Sequence, residues 1–584
     1  MAEAAGGAFR PAEGDDNLLT KPPYIGANRR NLPASSLAPV AAKPNVSIVL
    51  RRLTLILPYL VLLGGCAKRE TPAEAGLRTG TLLVGNLAEP QELDPQLIAA
   101  YTDQNIAVAL FEGLCALDER SSQPVPGVAE RWVASPDGLT WTFHLRATAK
   151  WSNGESLTAH DFVASWRRVL NPALAAEYAY LLYPLKNAAA LNAGQMTDFS
   201  ALGAEALDDR TLRITLERPT PFLPALTAQP VWFPVNPRAL AKFGDANRRQ
   251  SAWTRPENLV GNGPFTLAEW TPSARLVVAK NPAYWDAASV RLSQIIFFPT
   301  ESPDVEERNF RAGQVHLTYG LPTSKLATYQ RENPAALRLD PFLQAIFLRF
   351  NTTRPPFTDA RVRRALSLAV DRDAIAASVL RGAGTPARSF TPPDCAGYTA
   401  RASVPTDFEA ARRLLAEAGF PGGRGLPVLE LQVRNDEHQP RVAEVLQAQW
   451  AKELGVSLTL APLEQKTWVQ NQQTLNYTLS GAGWIGDFVD PVTFLDLFVS
   501  TGGNNWTGWA SADYDRFIAQ AAATPDPAAR REIFQQAEIL LLEQAPVAPV
   551  FFGTRAYLIH SSVKGWEPSL LGLHQYKRVY LQKP

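Results

Sequence analysis

The sequence predicts an α/β fold in which helices pack on parallel or mixed sheets. The main evidence is residues 427–460, where a strand pattern, a helical pattern and a second strand pattern follow one another. Strand, helix and strand in this order form a βαβ unit. Amphipathic helical patterns at 357–375 and 406–420 support the same class, and alternating patterns at 139–146 and 210–217 add β-rich portions.

The βαβ unit can be followed along the chain. In 427–435 every second residue of the central part is apolar, as in a strand. In 439–455 the apolar residues recur at helical spacing, Pro440 lies in the first turn, and Gly455 is expected to end the helix. The second strand is 456–460. The apolar residues at helical spacing are Val442, Val445, Leu446, Trp450 and Leu454.

The two helical patterns upstream each carry an apolar stripe, which is typical of a helix packed on a core. The pattern at 406–420 opens with Thr406 followed by Glu409, which predicts a capping box, and Gly419 is expected to end the helix. The pattern at 357–375 is predicted to be one helix.

A short strand pattern at 476–484 runs into glycines and predicts that Trp484 and Asp487 lie just past the carboxyl end of a strand, where open α/β sheets bind ligands. The surrounding stretch, AGWIGDFVDP, contains no cation, and none occurs between Lys466 and Arg516. The partner of the Asp487 carboxylate must therefore come from a distant segment or from a ligand. Asp490 precedes a proline, which favours a turn.

Length and composition limit the possible classes. A chain of 584 residues is expected to form roughly two to four domains. The content of 46% hydrophobic and 19% charged residues is typical of a soluble globular protein. A net charge of +1 gives no electrostatic support for binding nucleic acid or an anionic membrane surface.

The N-terminal part resembles an export signal. Arg51 and Arg52 precede an apolar run at 53–63, which is too short to span a membrane and is followed by Gly-Gly-Cys66. The end of this run resembles a bacterial lipobox, so we expect 48–65 to be a lipoprotein signal peptide and Cys66 to receive the lipid. A plain cleaved signal is the alternative.

The segments on either side of this signal are not expected to belong to the folded body. Residues 1–47 are rich in Pro, Ala, Gly and Asn without periodicity, which predicts disorder or an extension from a translation start placed too far upstream. Residues 66–80 are expected to be a tether. Cys115 and Cys395 show no pairing signal, and unpaired buried thiols are favoured.

No catalytic or cofactor motif is present in the sequence. The six histidines are scattered without the i, i+4 pair of a zinc helix, so no metal site and no cofactor are predicted. There is no G-x-S-x-G elbow and no phosphate-binding G-x-x-x-x-G-K-[ST] loop. A glycosidase with two carboxylates stays open, because such carboxylates need no fixed spacing.

From about residue 80 onward the chain resembles the extracytoplasmic solute-binding proteins of peptide ABC transporters (family 5), and most closely the periplasmic oligopeptide-binding proteins. Nine runs in the same order carry this resemblance. They are LDPQ (93–96), LFEGL (110–114), PGVAERW (126–132), WTFHLRATAKWSNGESLTAHDFVASWRRV (141–169), NGPF (262–265), KNPAYWD (280–286), VRRALSLAVDRD (362–373), ARRLLAEAGF (411–420) and AGWIGDFVDPVTFL (482–495).

The resemblance implies a two-lobed periplasmic binding protein fold of type II with an extra domain, in which hinged lobes close on the ligand. It divides the folded part into three domains. Domain I would be 81–111, 238–344 and 555–584; domain II would be 112–237; domain III, the second lobe, would be 345–554.

The resemblance also implies the site residues. The aspartate of the motif GW-x-x-D pairs with the α-ammonium of the peptide, and here it is Asp487, with Gly483, Trp484 and Ile485 beside it and backbone groups bonding the ligand main chain. Tyr178 matches a tyrosine that lines the cleft. Asn262 matches a cleft-lining turn, although a purely structural turn explains it equally well. The chain departs from the family at Gln472 and Gly481, where some relatives have basic residues for the peptide carboxylate, and at Ala99, where the family is acidic.

The function implied is oligopeptide capture and delivery to an inner-membrane ABC permease, without catalysis. The protein would be a periplasmic monomer held to a membrane only through its lipid. Because the carboxylate clamp is not matched, ligand length and end chemistry stay open. A dipeptide, an oligosaccharide or heme is the alternative ligand, and a cell-surface hydrolase is the alternative class.

Overall fold

The structure is a computed structural model that describes residues 70–249, 251–436 and 438–583. The predictions for 1–47, for the signal peptide at 48–65, for Cys66 and for the first part of the tether lie outside the described residues. The remainder of the predicted tether is a helix, and it begins with a capping box formed by Thr71 and Glu74.

The described chain is α/β, as predicted. Its strands are β1 (Thr81–Gly85), β2 (Cys115–Leu117), β3 (Pro124–Pro126), β4 (Ala129–Ala134), β5 (Thr140–Leu145), β6 (Ala204–Asp208), β7 (Thr211–Thr215), β8 (Phe265–Thr271), β9 (Arg275–Lys280), β10 (Gln294–Phe298), β11 (Leu337–Phe350), β12 (Gly384–Pro386), β13 (Leu429–Arg434), β14 (Leu458–Leu463), β15 (Leu479–Ile485), β16 (Val547–Leu558), β17 (Val563–Lys564) and β18 (Tyr580–Leu581).

The helices alternate with these strands along the chain. They are α1 (Pro72–Thr79), α2 (Tyr101–Leu110), α3 (Ala159–Val169), α4 (Ala188–Asn192), α5 (Leu223–Leu226), α6 (Pro237–Ala241), α7 (Pro303–Arg311), α8 (Thr323–Glu332), α9 (Ala360–Leu368), α10 (Arg372–Ile375), α11 (Phe408–Glu417), α12 (Gln439–Leu454), α13 (Gln465–Gln473), α14 (Val492–Leu495), α15 (Ala512–Ala523) and α16 (Pro527–Gln544).

Three larger sheets organise the described chain. The first, in the order β1-β10-β9-β8, falls in the residues predicted as domain I, and only its β1–β10 pair is parallel. The second, β4-β5-β7-β6, is antiparallel and falls in the predicted domain II. The two alternating sequence patterns are its central strands β5 and β7, which pair as neighbours. The domain boundaries themselves stay predictions.

The third sheet is mixed and has the order β12-β16-β11-β15-β13-β14. It contains the predicted βαβ unit: β13 and β14 are parallel, and α12 connects them. As expected, α12 ends at Gly455, whose φ of 67° is left-handed and therefore suits glycine. The apolar residues predicted at its inner face include Leu446 and Trp450, which are fully buried. The strand that carries the candidate site, β15, lies between β11 and β13.

Two helix predictions need correction. The pattern at 357–375 forms two helices, α9 and α10, and not one, because the chain turns after Leu368. The pattern at 406–420 is α11, but its cap is Asp407, which accepts a hydrogen bond from the Ala410 N–H. The predicted cap, Thr406, instead donates its hydroxyl to the carbonyl of Val370 at 2.9 Å. The Thr406 hydroxyl, which the local sequence predicted as the helix cap, is therefore used in a tertiary contact instead.

The strands β11 and β16 form a long antiparallel ladder in the third sheet, and Leu317 forms bridges both to Ile559, just after β16, and to Val84 of β1 in the first sheet. Leu337 pairs with Leu558 at one end of the ladder and Arg349 with Val547 at the other, and the register shifts between Pro341 and Ala345. Leu337 and Leu558 pack with α8, whereas the far ends of both strands contribute to the core of the third sheet. The end of this ladder near Leu558 is therefore linked to the first sheet through Leu317.

A buried ion pair holds the loop after β15. Arg530 of α16 contacts both oxygens of the Asp490 carboxylate, at 2.5 and 2.8 Å, and both side chains are less than a tenth exposed. Asp490 also accepts a hydrogen bond from the Val492 N–H at 3.0 Å, which is the turn that the proline predicted. The predicted turn is confirmed, but the ion pair was not foreseen.

We predict that Asp490→Asn destabilises the protein by about 3–5 kcal/mol, because it leaves the buried Arg530 guanidinium without its counter-charge while keeping the turn acceptor. The matched control is Asp513→Asn, which breaks the exposed Arg516–Asp513 pair and should cost at most about 1 kcal/mol. Urea unfolding followed by tryptophan fluorescence gives both values. Equal effects of the two substitutions would contradict the prediction.

Candidate functional site

The candidate site is built on the end of β15. Ile485 is the last residue of the strand, so Trp484 lies within it, not past its end as predicted, and Asp487 follows after one glycine. That glycine, Gly486, donates its N–H to the carbonyl of Leu343 at 2.8 Å, and a Cβ at this position would lie 2.5 Å from the Leu343 side chain. Only glycine fits here, because the Leu343 side chain fills the space that a Cβ would take. This close approach places the Asp487 backbone next to β11, to which Leu343 belongs.

The Asp487 carboxylate has one side-chain hydrogen bond. The hydroxyl of Tyr180 donates to Oδ2 at 3.2 Å, and the Asp487 N–H donates to Thr493 Oγ1 at 3.3 Å. Among the residues that the structure describes, no lysine, arginine or histidine forms an ion pair with Asp487. Because burial disfavours the charged form, the pKa of Asp487 is raised to about 6, and the Tyr180 hydrogen bond offsets part of this rise.

Three tyrosines surround this carboxylate. Tyr101 begins α2, whereas Tyr178 and Tyr180 lie in the turn Glu177–Leu182 with their rings 5.7 Å apart. Burial raises the pKa of Tyr178 to about 12, and the negative charge of Asp487 adds to this rise. Burial and Asp487 also raise the pKa values of Tyr101 and Tyr180. An unpaired carboxylate with aromatic walls is an environment that favours an organic cation.

Asp487, Tyr101 and Tyr178 line a pocket of about 450 Å³, which we call the Asp487 pocket. It is bounded by α2, by the turn that carries Tyr178, by the loop after β15, and by Leu571 and Leu573 near the C-terminus. Gln104 adds a polar group to the wall. The pocket therefore collects residues from the predicted domains I, II and III.

A ring stack attaches the Asp487 loop to the second sheet region. Phe488 packs on Phe222, with ring centroids 4.9 Å apart and planes within 8° of parallel. The guanidinium of Arg530 lies 5.4 Å from the centroid of Phe222. The side chain that follows Asp487 in sequence is thus held by packing, whereas the Asp487 carboxylate has no charged partner among the described residues.

The structure brings some of the predicted site residues together and separates others. Tyr178 and Asp487 line one pocket, whereas Gly483, Trp484 and Ile485 form the strand that leads to it. Asn262 is only 2% exposed, and its side chain accepts from the Glu112 N–H at 3.1 Å and donates to the Glu112 carbonyl at 2.7 Å. Both ends of the Asn262 amide are thus used inside the fold, which favours the structural alternative for this residue.

The structure also shows the surroundings of Gln472 and Gly481, where some proteins of the resembled family have basic residues. Gln472 is buried, and its Oε1 accepts a hydrogen bond from the guanidinium of Arg349. Burial lowers the pKa of Arg349 to about 10, and within the described residues Arg349 has no carboxylate partner. Gly481 packs closely against β13, since a Cβ there would lie 3.1 Å from Val433. No cation stands at 472 or 481, but a buried arginine touches Gln472.

Three site residues were missed in the sequence. Tyr101 and Gln104 belong to α2, and Tyr180 follows Tyr178 in the same turn. Only Tyr180 could have been suggested by the sequence, because it lies two residues after Tyr178, which was a predicted site residue. Asp496 is a fourth addition: its carboxylate interacts electrostatically with Arg218, Asp487 and Asp490.

Cys115 and Cys395 are free and buried, as favoured from sequence. No group of three or more His, Cys, Asp or Glu side chains in the described ranges could hold a metal ion. Within the same ranges, no helix combines the length and apolar character needed to cross a membrane.

The comparisons with known proteins agree with this architecture. The family model for bacterial extracellular solute-binding proteins, family 5, matches residues 123–506. The periplasmic oligopeptide-binding protein OppA of Salmonella typhimurium is 35% identical, over 90% of this chain and 96% of its own. The probable deoxycholate-binding periplasmic protein YgiS of Escherichia coli is 36% identical, over 82% of this chain and 89% of its own.

Two solved structures extend the comparison. The murein tripeptide-binding protein MppA, in its unliganded open form, superposes with a TM-score of 0.78 at 33% identity, over 86% of this chain and 97% of its own. The substrate-binding domain of an oligopeptide ABC transporter from Bacillus anthracis gives 0.67 at 28% identity, over 86% and 99%.

The predicted two-lobed fold is confirmed by these structural neighbours. The family consists of substrate-binding proteins of transporters and not of enzymes, which also confirms the prediction of a protein without catalysis. On the match to the family model over most of the chain, and on its close relatives, this protein belongs to the bacterial extracellular solute-binding proteins of family 5.

Proposed function

We propose that this protein is the extracytoplasmic substrate-binding lipoprotein of an ABC importer, and that it captures oligopeptides in the cleft between its lobes and delivers them to an inner-membrane permease. It acts as a periplasmic monomer that is anchored to a membrane through Cys66. The observation that carries the proposal is the Asp487 carboxylate, which is enclosed by tyrosines and has no cation in the described chain.

The chemistry of the Asp487 pocket favours an α-ammonium as the missing partner. A desolvated carboxylate gains most from a charge-assisted hydrogen bond, and the ring faces of Tyr101 and Tyr178 suit a cation. An ammonium has several N–H donors, so it can reach Asp487 and still bond a neighbour such as the side-chain oxygen of Gln104. Every unmodified peptide carries this group at its N-terminus.

The free edge of β15 supports a ligand in extended conformation. On one side β15 pairs with β11 as far as Ile485. On the other side it pairs with β13 at Leu479 and Ser480, and no further pairing along this edge is found within the described residues. The edge from Ala482 to Ile485 therefore offers main-chain groups to an added strand that leads to the Asp487 pocket. Main-chain pairing of this kind requires no particular side-chain sequence in the ligand.

We predict that the Asp487 charge and the peptide ammonium act as one interaction. Asp487→Asn should weaken binding of a free peptide by about 2–5 kcal/mol, that is, from roughly 30-fold to several thousand-fold, because the substitution leaves a desolvated ammonium unpaired. N-acetylation of the peptide should weaken binding to the wild type by a similar factor. The two changes together should cost much less than their sum.

Calorimetry on the four combinations measures this coupling. Asp513→Asn serves as the matched control, since it removes a surface carboxylate and should leave both affinities unchanged. If acetylation has no effect on the wild type, Asp487 is not the ammonium site and the proposed function loses its main support.

We also predict that binding strengthens as the pH rises from 5 to 7. The raised pKa of Asp487, about 6, means that roughly one carboxylate in ten is ionised at pH 5 in the free protein and roughly nine in ten at pH 7. Since the ammonium requires the ionised form, affinity should rise about ten-fold over this range. Asp487→Asn should abolish most of this rise. Titration of Asp496 should change the profile only through its repulsion of Asp487.

Calorimetry in buffers of different ionisation enthalpy checks the sign of the pH effect. At pH 5.5 binding to the wild type should release roughly three quarters of a proton, because the ligand displaces it from Asp487. A profile that is flat, or that falls with rising pH, would contradict an ionised Asp487 as the partner.

For the anchor, we predict a diacylglyceryl adduct on the peptide that begins at Cys66. The support is the order Arg-Arg, apolar run, Gly-Gly-Cys in the sequence. Mass analysis of the membrane-bound protein tests it, and Cys66→Ser should release the protein from the membrane fraction. A mature protein cleaved elsewhere and found free in the periplasm would contradict the anchor, without bearing on the peptide site.

A further inference from the structure

A second cavity lies next to the Asp487 pocket. It encloses about 710 Å³, part of it open to solvent, and it lies among the end of α2, the β2 strand and residues 569–577. Leu571 and Leu573 line both the cavity and the Asp487 pocket. Val489, two residues after Asp487, also lines the cavity. The two spaces are therefore neighbours, and the same two leucines line both of them.

The walls of the cavity are mainly apolar. The large apolar side chains at its surface include Val108, Phe111, Phe233, Val489, Leu571 and Leu573. Cys115 also lines it, and burial raises the pKa of this thiol to about 12, so the thiol is neutral at physiological pH. The cavity thus offers an occupant a surface from which water is readily displaced.

The charged side chains of the cavity wall are already hydrogen-bonded within the protein. Glu112 lies 3.1 Å from the Lys577 ammonium and accepts a further bond from the Tyr284 hydroxyl at 2.6 Å. Glu119 lies 3.0 Å from His574 and accepts the Gln575 N–H at 2.6 Å. The third carboxylate, Asp118, pairs with Arg578 at 2.9 Å. None of these carboxylates or cations is left to bind a charged occupant.

We propose that this cavity receives the side chain of the first ligand residue, and that it selects peptides with a large apolar residue at the N-terminus. The inference rests on the proposed function, because it takes the peptide ammonium to lie on Asp487. The first α-carbon carries both the ammonium and the first side chain, so this residue can place its ammonium in the Asp487 pocket and its side chain past Leu571 and Leu573.

The size and polarity of the occupant follow from the walls. Burial of a leucine or phenylalanine side chain is worth a factor of roughly ten to one hundred in affinity over alanine. Lysine or aspartate gains nothing comparable, because the wall charges are paired and a new charge would be desolvated without a partner.

The test is a series of tetrapeptides, Xaa-Ala-Ala-Ala, titrated calorimetrically into the purified full-length protein. With leucine or phenylalanine as Xaa we expect affinities ten- to one-hundred-fold above that of the alanine peptide, and with aspartate or lysine we expect no gain. The same residues at the second position should give less than a third of this factor. A flat series, or a preference for a charged first residue, overturns the inference.

Two variants fill the cavity from positions that do not line the Asp487 pocket. Ala116→Phe and Ala228→Phe should each reduce the phenylalanine preference to less than three-fold, and should leave the alanine peptide and the effect of N-acetylation nearly unchanged. The control is Leu207→Phe on β6, an exposed position that does not line the cavity, which should keep the full preference. If both filled variants bind the alanine peptide normally and still keep the preference, the inference is wrong.

The outcomes separate the two proposals. If N-acetylation has no effect for any Xaa, the proposed function fails at Asp487. If acetylation matters but the first residue does not, only the cavity inference fails. Binding of deoxycholate that the filled variants abolish, together with a flat peptide series, would assign the cavity to a steroid carboxylate and overturn the inference.

Discussion

The site depends on one short irregularity in the β11–β16 ladder. Between Pro341 and Ala345 the register shifts, and Leu343 in this gap uses its free backbone groups for two contacts. Its N–H donates to the carbonyl of Leu570, and its carbonyl accepts the N–H of Gly486, both at 2.8 Å. One residue of the ladder therefore holds the segment that carries Leu571 and the loop that carries Asp487.

Two carboxylates in the same loop show how environment decides their roles. Asp490 is buried against Arg530 and accepts a backbone N–H, so its charge is satisfied within the fold. Asp487 has only a tyrosine hydroxyl as a side-chain partner, and burial raises its pKa. Because Arg530 and the stacked Phe222 and Phe488 rigidify the loop, the Asp487 carboxylate cannot relax toward a cation of the protein. Its position is preorganised at a cost that a ligand cation can offset.

Local patterns predicted local structure well, and tertiary contacts explain where they failed. The βαβ unit from β13 to β14 follows from periodicity alone, because the side chains that define it are close in sequence. The cap of α11 does not, since Thr406 and Asp407 can both cap a helix and the contact of Thr406 with Val370 decides between them. Asp487 could be identified as a carboxylate without a local cation. Tyr101 lies almost 400 residues before it in sequence, and no spacing rule connects the two.

The C-terminal end of the proposed ligand lacks a charged partner among the described residues, unlike its N-terminal end. Arg349 is 5% exposed and is bonded to Gln472, and its guanidinium lies 5.1 Å from the ring centroid of Trp506. A cation enclosed in this way is held by the interior of the third sheet region and is not presented to a carboxylate in the cleft. The charged contact thus lies at the Asp487 end of β15, while the remainder of its free edge offers main-chain groups without a second charge. Under the proposed function, such an arrangement would fix the register of an extended ligand at its first residue and set no fixed distance to its last, so ligand length would not be selected by the pairing of two charged ends.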